Sequence, residues 1–236
     1  GPYTVIGEQV EIGAGCKIDS HVVINGPTRL GHNNHIYQFA SIGDDPQDKK
    51  YADEPTRLDI GDGNTIREFC TISRGTVQDE GVTTIGDDNW IMAYVHIAHD
   101  CRVGSHTIFA NNATLAGHVH VGDWVIMGGF SGIHQFCHIG AHAFLGMYSG
   151  ANRDVPAYTM ISGQPAVPRG INSEGLKRRG FTVEQVSTIK KAYRLLYRQG
   201  LKLNDAIAQI EALGQDKPEL RILLDSLRQS DRGIVR

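Results

Sequence analysis

Aromatic residues are scarce in this sequence, and so are cysteines, prolines and long apolar runs. Phe, Trp and Tyr make up 7% of the 236 residues, and there are only 8 Pro and 4 Cys. No apolar run approaches the roughly 20 residues of a membrane-spanning helix, which excludes a helical transmembrane protein. Hydrophobic residues at 40% and charged residues at 21% exclude a disordered chain. We therefore expect a folded, soluble protein.

Net charge is also small, at −3, and it is unevenly spread. Residues 173–236 hold 13 Lys and Arg against 8 Asp and Glu, so the basic part is C-terminal. No charged segment followed by an apolar stretch opens the sequence, so we expect a cytoplasmic protein without a nucleic-acid partner. The sequence starts at Gly1 within a repeat and without an initiator Met, so we expect that an N-terminal segment is absent.

What the sequence does contain is glycine, with 28 residues, and a repeat of six. Apolar residues recur at every sixth position in two sets, separated by one slip in the register. The first set is Ile6, Ile12, Ile18, Ile24, Leu30, Ile36, Ile42, Ile60, Ile66 and Ile72. The second set is Ile85, Ile91, Ile97, Val103, Phe109, Leu115, Val121, Met127, Ile133, Ile139 and Leu145. Small residues, often Gly, commonly follow them.

A period of six is typical of a parallel β-helix, in which each hexad supplies one short strand and one turn. Three hexads close one triangular coil, so residues 18 apart stack on neighbouring coils at about 4.8 Å. The repeated aliphatic residues then point into the prism, and polar residues stack in rows on its surface.

Two polar stretches interrupt the repeat, and the pattern changes after residue 165. The stretches at 44–57 and 78–84 read as loops on the prism surface, where repeat proteins usually carry function. Thr182 with Gln185 resembles a capping box before an amphipathic helix over 183–199, and further helices are expected near 205–213 and after Pro218. We predict a β-helix over 1–165 and a helical domain over 166–236.

The cysteines share one phase of the repeat, four residues after an inward-facing apolar residue. They are Cys16, Cys70, Cys101 and Cys137. This shared phase favours reduced, buried packing, without a disulfide framework or a Cys-x-x-Cys zinc motif.

Eight of the eleven histidines lie between residues 96 and 142. His99, Gly117 and Gln135 share one row, so His99 lies beside a residue without a side chain. Asp100 stacks with His118 by the same count. The pattern predicts a notch with an imidazole at its side, and an Asp that orients an imidazole is the usual arrangement of a general base. His120 and His138 form a separate row, which favours a structural role, and the sequence gives no reason for His106 and His142.

Four segments resemble one enzyme family more specifically than the repeat does. They are IAHDCR (97–102), NNATLAGH (111–118), HQFC (134–137) and GINSEGLKRRGF (170–181). Together with the loop QDKKYADEPTR they closely resemble the UDP-N-acetylglucosamine O-acyltransferases. The resemblance implies an all-β left-handed parallel β-helix with a C-terminal α-helical domain, assembled as a homotrimer with sites between subunits. It also implies transfer of a 3-hydroxyacyl group from acyl carrier protein to the 3-hydroxyl of UDP-N-acetylglucosamine, without a cofactor, in lipid A biosynthesis.

The resemblance also assigns roles to residues. His99 matches the catalytic base, Asp100 its orienting partner, and the backbone N–H of Gly117 the oxyanion donor, and no acyl-enzyme is implied. The residues matched to the sugar and phosphopantetheine region are Asp48, Lys50, His96, His118 and Gln135. Those matched to the nucleotide-binding segment are Asn172, Glu174, Arg178 and Arg179.

Met147 stands where a common form of the family has a second Gly after Gly146. In this family that position limits acyl length, so the resemblance predicts a short donor of about ten carbons. A basic set of side chains is predicted to attract the acidic carrier protein: Lys190, Lys191, Arg194, Arg198 and Lys202.

Three alternatives remain open at this point. A related N-acyltransferase would acylate a glucosamine amine on a similar prism, although the segment with Asn172, Glu174 and Arg178 argues against it. A carbonic anhydrase of the same fold would hold zinc, and four histidines keep this open: His96, His99, His118 and His120. A structural or ice-binding solenoid needs a flat face of one residue type, which the varied rows do not offer.

Overall fold

The chain folds as the predicted left-handed parallel β-helix, followed by helices. The structure is a computed structural model, and it describes residues 1–214 and 216–236. Short strands form three sheets, which are the three faces of a triangular prism. Within the described residues, no helix is both long enough and apolar enough to cross a membrane.

From β1 to β22, every third strand belongs to the same face, and β23 and β24 then extend sheet C. Sheet A contains β1 (Val5–Ile6), β4 (Val23–Ile24), β7 (Ser41–Asp44), β10 (Thr71–Ser73), β13 (His96–Ile97), β16 (Thr114–Leu115), β19 (Gly132–Ile133) and β22 (Gly150–Ala151). Sheet B contains β2 (Val10–Ile12), β5 (Thr28–Leu30), β8 (Arg57–Ile60), β11 (Val82–Ile85), β14 (Arg102–Val103), β17 (His120–Val121) and β20 (His138–Ile139). Sheet C contains β3 (Lys17–Ile18), β6 (His35–Ile36), β9 (Thr65–Ile66), β12 (Trp90–Ile91), β15 (Ile108–Phe109), β18 (Ile126–Met127), β21 (Phe144–Leu145), β23 (Thr159–Ser162) and β24 (Val167–Ile171).

The six-residue pattern corresponds to the inward-facing side chains. Nearly all the repeated apolar residues are buried in one core cluster, whereas Ile6 and Ile12 in the first coil are exposed. Where loops do not intervene, strands pair in parallel with an offset of 18 residues, as in Ile97 with Leu115 and Leu115 with Ile133. Stacking rows inferred from the sequence are therefore real neighbours in the structure.

The prism turns at three edges, and nearly every turn contains a left-handed residue. We call the edge between sheets A and B edge I, that between B and C edge II, and that between C and A edge III. Asp100 (φ +59°) and His118 (φ +62°) lie at edge I, Trp124 (φ +62°) at edge II and Tyr148 (φ +58°) at edge III. At residues with positive φ, side chains no longer alternate strictly between the inside and the outside of the prism, as expected at these turns.

Both interruptions leave the prism at edge I, with boundaries that differ from the predicted ones. The first loop, loop 1, covers 45–56, because β7 extends through Asp44 and β8 begins at Arg57. The second, loop 2, covers 74–81. The residues predicted as loop at 82–84 are instead the start of β11, which pairs with all four residues of β8. Residues 82–84 form a strand despite their polar composition, because they pair with β8.

The helices follow a final antiparallel hairpin rather than starting at residue 166. β24 pairs antiparallel with β23 and extends sheet C through Ile171. The helices are α1 (Ser173–Arg178), α2 (Val183–Tyr197), α3 (Leu203–Ala212) and α4 (Pro218–Arg228). The expected capping box is present at Thr182 and Gln185. Apolar faces of these helices pack into a second core that also contains Ala157 and Tyr158.

The C-terminal tail returns to the prism after α4. Ile234 forms a parallel bridge with Asp154, and the side chain of Val235 lies in the prism core. The buried Asp154 carboxylate accepts hydrogen bonds from the Ser230 hydroxyl (2.7 Å) and the Arg232 N–H (3.2 Å). The tail thereby joins the helical region to the last coils.

All four cysteines are free thiols, as their shared phase predicted; Cys16 is half-buried and the other three are buried. Burial raises the pKa of Cys70 and of Cys137 to about 11. These thiols are packing groups, and the Cys101 thiol donates to the Ala116 carbonyl at 3.2 Å.

Candidate active site

The centre of the candidate site is a His–Asp pair at edge I, just beyond β13. His99 Nδ1 lies 2.8 Å from Asp100 Oδ2, although the two residues are adjacent in sequence. In a strand their side chains would point to opposite faces. The left-handed conformation of Asp100 turns its carboxylate back toward the imidazole. The Asp100 bond uses Nδ1, so Nε2 is the nitrogen that His99 offers to a substrate.

The Asp100 carboxylate is buried and held by several donors. Thr76 donates its backbone N–H to Oδ1 (2.8 Å) and its hydroxyl to Oδ2 (2.6 Å). The Asp100 N–H donates to the Thr83 hydroxyl at 2.8 Å. Burial by itself would raise the pKa of Asp100, but the hydrogen bonds from His99 and Thr76 outweigh it and hold that pKa below its ordinary value. Asp100 is therefore a fixed anion beside the imidazole.

Gly117 lies directly against the His99 ring. A methyl group on Gly117 would be 2.6 Å from Cε1 and 2.7 Å from Nε2 of His99, so a side chain here is incompatible with this ring position. Within the described residues, the Gly117 N–H donates to no acceptor. A free N–H beside the imidazole is the arrangement that an oxyanion donor requires.

His118 extends the pair into a connected network. Its Nδ1 lies 2.9 Å from Asp79 Oδ2 of loop 2, and its Nε2 lies 3.8 Å from Asp100 Oδ2. The His118 ring stacks on Phe136 at 4.3 Å and meets His99 edge-on at 5.1 Å. Aromatic packing on both sides fixes the orientation of this imidazole.

A cleft of about 590 Å³ opens over the pair. Loop 1 contributes Gln47, Asp48, Lys49 and Lys50, loop 2 contributes Gln78 and Asp79, and edge I contributes His99, His118, Gln135 and Phe136. Six of the residues assigned from the sequence thus meet in this region: His99, His118, Gln135, Asp48 and Lys50 line it, and Asp100 lies behind His99.

His96 does not line this cleft. It lies in sheet A, and its Nδ1 contacts the Thr71 hydroxyl at 2.7 Å. Burial, with a smaller contribution from His99, lowers the pKa of His96. His120 and His138 lie side by side on sheet B, with ring centres 4.5 Å apart and ring planes inclined by 59°, and they line a different cleft, beside α4.

The segment assigned to the nucleotide lies on α1, near edge II. Asn172 caps α1 by accepting from the Gly175 N–H (3.2 Å), and it donates to the His142 carbonyl (3.1 Å). Glu174 pairs with Lys177 at the surface. Asn172 therefore has a structural role that its residue type alone did not indicate.

The two arginines of this segment differ in their surroundings. Arg178 is exposed at the end of α1. Arg179 is partly buried: its guanidinium lies 5.1 Å from the centre of the Trp124 ring, and Nη1 donates to His142 Nδ1 at 3.0 Å. Burial lowers the pKa of Arg179. Of the two, Arg178 is the cation that faces solvent.

Met147 lies at edge III, and 60% of its surface is exposed. Within one chain, the assigned residues thus occupy three edges: the His99 pair edge I, α1 edge II and Met147 edge III. One copy of the chain does not bring them into one cleft.

Within the described residues, one group of three potential metal ligands is close enough to bind an ion: His99, Asp100 and His118, whose ligand atoms lie within 4.8 Å of one another. His96 and His120 do not belong to it. The Asp100 carboxylate already accepts bonds from His99 and Thr76, so the arrangement is complete as a hydrogen-bonded network.

Sequence reasoning missed two contributors from loop 2, Thr76 and Asp79. The polar stretch from residue 78 marked the region as a loop but gave no contact partners. Thr76 precedes that stretch, and its distance from Asp100 in sequence carries no periodic signal, because loop 2 interrupts the register.

Comparison with known proteins agrees with this architecture. A family model described as UDP N-acetylglucosamine O-acyltransferase, domain 2, matches residues 154–235, and a bacterial transferase hexapeptide model matches residues 83–117. A curated relative from Thiobacillus denitrificans, named acyl-[acyl-carrier-protein]--UDP-N-acetylglucosamine O-acyltransferase, is 59% identical over 236 residues, which is 100% of this chain and 92% of the relative. The protein of the same name from a Janthinobacterium strain is 58% identical over 240 residues, with the same coverage.

Solved structures give the same result. The UDP-N-acetylglucosamine acyltransferase of Francisella novicida superposes with a TM-score of 0.98 at 45% identity, covering 100% of this chain and 87% of that one. The O-acyltransferase of Moraxella catarrhalis also reaches 0.98, at 48% identity, with 100% and 92% covered. With such identity over its whole length, this chain belongs to the UDP-N-acetylglucosamine O-acyltransferase family.

Proposed function

We propose that this chain transfers a 3-hydroxyacyl group from acyl carrier protein to the 3-hydroxyl of UDP-N-acetylglucosamine, in the cytoplasm, as the first step of lipid A biosynthesis. The observation that carries the proposal is the buried Asp100 bonded to His99, with the Gly117 N–H beside the same ring. That arrangement supplies a base and an oxyanion donor at one point, as acyl transfer to a hydroxyl requires.

His99 Nε2 accepts the proton of the sugar hydroxyl as its oxygen bonds to the thioester carbon. Asp100 stabilises the imidazolium that forms. The carbonyl electrons move onto oxygen, and the Gly117 N–H donates to that oxyanion. When the intermediate collapses, the C–S bond breaks and the imidazolium returns its proton to the departing thiolate. The protein forms no covalent bond with the acyl group.

Substrate binding is assigned to the cleft and to α1. Asp48, Lys50 and Gln135 line the cleft beside His99 and are proposed to contact the sugar and the phosphopantetheine arm. Arg178 is proposed to bind the diphosphate, because its guanidinium is exposed and paired donors suit phosphate oxygens. The side chains of His96 and Asn172 form hydrogen bonds within the chain, so both are proposed to support the segments that bind substrate.

The homotrimer is proposed on two grounds. The predicted site residues lie on three edges, so copies of the chain have to meet to complete one site. In addition, the outward row of sheet C is apolar from Trp90 to Phe144, and Trp90 is 45% exposed. Beside it, at edge III, Phe69 stacks on Tyr94 at 4.9 Å. Continuous apolar surface of this kind marks a protein–protein interface.

Met147 is proposed to set the donor length. An exposed thioether at edge III shortens a groove that lies between copies of the chain, where a glycine would leave it open. The expected preference is a 3-hydroxyacyl donor of about ten carbons over fourteen.

An acyl-transfer assay with UDP-N-acetylglucosamine and 3-hydroxyacyl carrier proteins of ten, twelve and fourteen carbons tests the proposal. Wild type is expected to prefer the shortest donor, Met147→Gly to shift toward longer ones, and His99→Ala to lose activity by about 10³-fold or more. His32→Ala is the matched control, because His32 is an exposed histidine in the N-terminal coils, between β5 and β6. Absence of transfer by folded wild type with every donor would sink the proposal.

Separate measurements on the same protein distinguish the rival functions. Transfer to a glucosamine amine but not to the hydroxyl would assign N-acylation instead. Stoichiometric zinc in the purified protein, with CO2 hydration lost in His99→Ala, would assign hydration chemistry. Light scattering measures the oligomer: a trimer is expected for wild type, and smaller species for Ile126→Asp on sheet C. A monomeric, active wild type would overturn the shared site.

A further inference from the structure

Thr76 in loop 2 has the closest contact with Asp100. Its side chain is buried, with 1% of its surface exposed, as is that of Asp100. The hydroxyl donates to Oδ2 at 2.6 Å and the N–H donates to Oδ1 at 2.8 Å, so Thr76 bonds both oxygens of one carboxylate. No role for this residue follows from the repeat.

We propose that Thr76 is a positioning residue that fixes the Asp100 carboxylate and sets the basicity of His99. The inference rests on the proposed function, because it concerns the same base. Oδ2 accepts both the Thr76 hydroxyl and His99 Nδ1, so the two donors share the charge of one oxygen. Thr76 thereby limits how strongly Asp100 stabilises the protonated imidazole.

Loop 2 is built to present this threonine. The Thr76 carbonyl accepts the N–H groups of Asp79 (3.3 Å) and Gly81 (3.1 Å), which closes the loop upon itself. The same loop contacts the other imidazole, because Asp79 bonds His118 Nδ1. Arg102 on sheet B bonds Glu80 at 2.7 Å and holds the loop from outside. Loop 2 is thus attached to the network at Asp100, through Thr76, and at His118, through Asp79.

The direction of the effect follows from the charges that face His99. Asp100 is the anion bonded to it, and His118 and His96 are the neighbouring imidazoles. The other charged side chains that line the same cleft are Asp48, Lys49, Lys50 and Asp79. Thr76→Val removes the hydroxyl donor and keeps the backbone N–H, so more of the carboxylate charge acts on the imidazole. The protonated form of His99 gains stability relative to the neutral form. Because the base must be neutral, activity then requires a higher pH.

The test is the pH profile of kcat/KM for wild type, Thr76→Val and Thr76→Ser. The acidic limb of Thr76→Val is expected to move upward by about half a pH unit or more, with kcat reduced more than KM is raised. Thr76→Ser keeps the hydroxyl and is expected to restore the wild-type limb. A purely structural role would lower activity at every pH without moving the limb.

Thr83→Val is the matched control. Thr83 is equally buried and also bonds Asp100, but it accepts the backbone N–H and does not touch the carboxylate. Its acidic limb is expected to coincide with that of wild type. Coincident limbs in Thr76→Val and wild type overturn the assignment. If Thr76→Val does not fold, Thr76→Ala removes the same hydroxyl and carries the same expectation. Absence of wild-type activity would instead count against the proposed function.

Discussion

At the scale of single residues, the candidate site depends on what one turn of the prism allows. Asp100 reaches the preceding imidazole only because its backbone is left-handed, and His118 one coil away shares that conformation. Glycine would adopt this backbone with less strain, yet it would supply neither the carboxylate nor the ring. Backbone strain at these turns is therefore part of what assembles the pair.

Gly117 gives a sharp prediction. Its φ lies in the ordinary range, so alanine fits the backbone, and the three atoms nearest to its methyl group all belong to the His99 ring. Gly117→Ala is expected to displace the imidazole and lower kcat/KM by roughly 100-fold, since a 1 Å misplacement has that effect. Gly132→Ala is the control, because a methyl there meets no atom within 4 Å. Equal activity of the two variants would contradict the reported geometry.

His142 predicts how stability depends on pH. Burial, together with the charge of Arg179, lowers its pKa to about 4, whereas an unfolded histidine titrates near about 6.5. Between about pH 4 and pH 6.5, His142 is therefore protonated in the unfolded chain and neutral in the folded chain. The resulting stability is complete above pH 6.5 and is lost as the pH falls toward 4.

Thermal unfolding between pH 4 and 8 measures this effect. His142→Gln keeps an acceptor for Arg179 without a titrating ring, so its midpoint is expected to fall less steeply below pH 6.5 than that of wild type. His32→Gln, at an exposed turn, is expected to follow wild type. Parallel curves for His142→Gln and wild type would show that His142 contributes nothing to acid sensitivity.

At the scale of elements, the two loops act as one unit because a buried arginine connects them. Arg74, at the start of loop 2, donates to the Gly43 carbonyl of β7 (2.7 Å) and to the Tyr51 hydroxyl of loop 1 (3.0 Å). It also pairs with the Asp45 carboxylate. The cleft residues of loop 1, including Lys50, depend on this anchor for their position.

Arg74→Met keeps the volume of the side chain and removes all three bonds. We expect the KM for the acyl acceptor to rise by about 10-fold while kcat changes by less than about twofold, since binding groups are displaced and the His99 pair is kept. Limited proteolysis within loop 1 should become faster. Arg57→Met is the control, because Arg57 is exposed and pairs only with Asp59 among the described residues. A fall in kcat at constant KM would contradict this role for loop 1.

The repeat predicts the elements well, and it fails where the period is broken. Inward-facing residues such as Ile97 and Leu115, and the row of His99 with Gly117, follow from counting by six and by eighteen. Loop contacts follow no period, which is why the bonds of Thr76 and Arg74 were not foreseen. The family resemblance assigned residue types to roles, but residue types alone do not show which side chains are already engaged within the chain.

At the scale of the whole molecule, the C-terminal tail connects two hydrophobic cores. Val235 lies in the prism core, whereas its neighbour Ile234 packs with the helices. Val235→Ala is expected to lower the free energy of unfolding by ~2 kcal/mol through the cavity it leaves in the prism. Arg236→Ala, at an exposed position, is expected to stay within about 0.5 kcal/mol of wild type. Denaturant unfolding measures both variants, and a free energy of unfolding of Val235→Ala equal to that of wild type would show that the Val235 side chain adds no stability.

In a three-sided coil, the position of a residue in the sequence also determines which face or edge of the prism it occupies. An insertion of eighteen residues between His99 and Met147 would add one full coil and leave Met147 on edge III. An insertion of six would satisfy the same local strand and turn geometry, yet it would turn every later residue by one face. Met147 and α1 would then leave the edges that they occupy in this structure. Residues inserted into the coil itself therefore preserve an assembled site only in multiples of a whole coil, whereas loops such as loops 1 and 2 leave the prism at one edge and do not change the order of the faces.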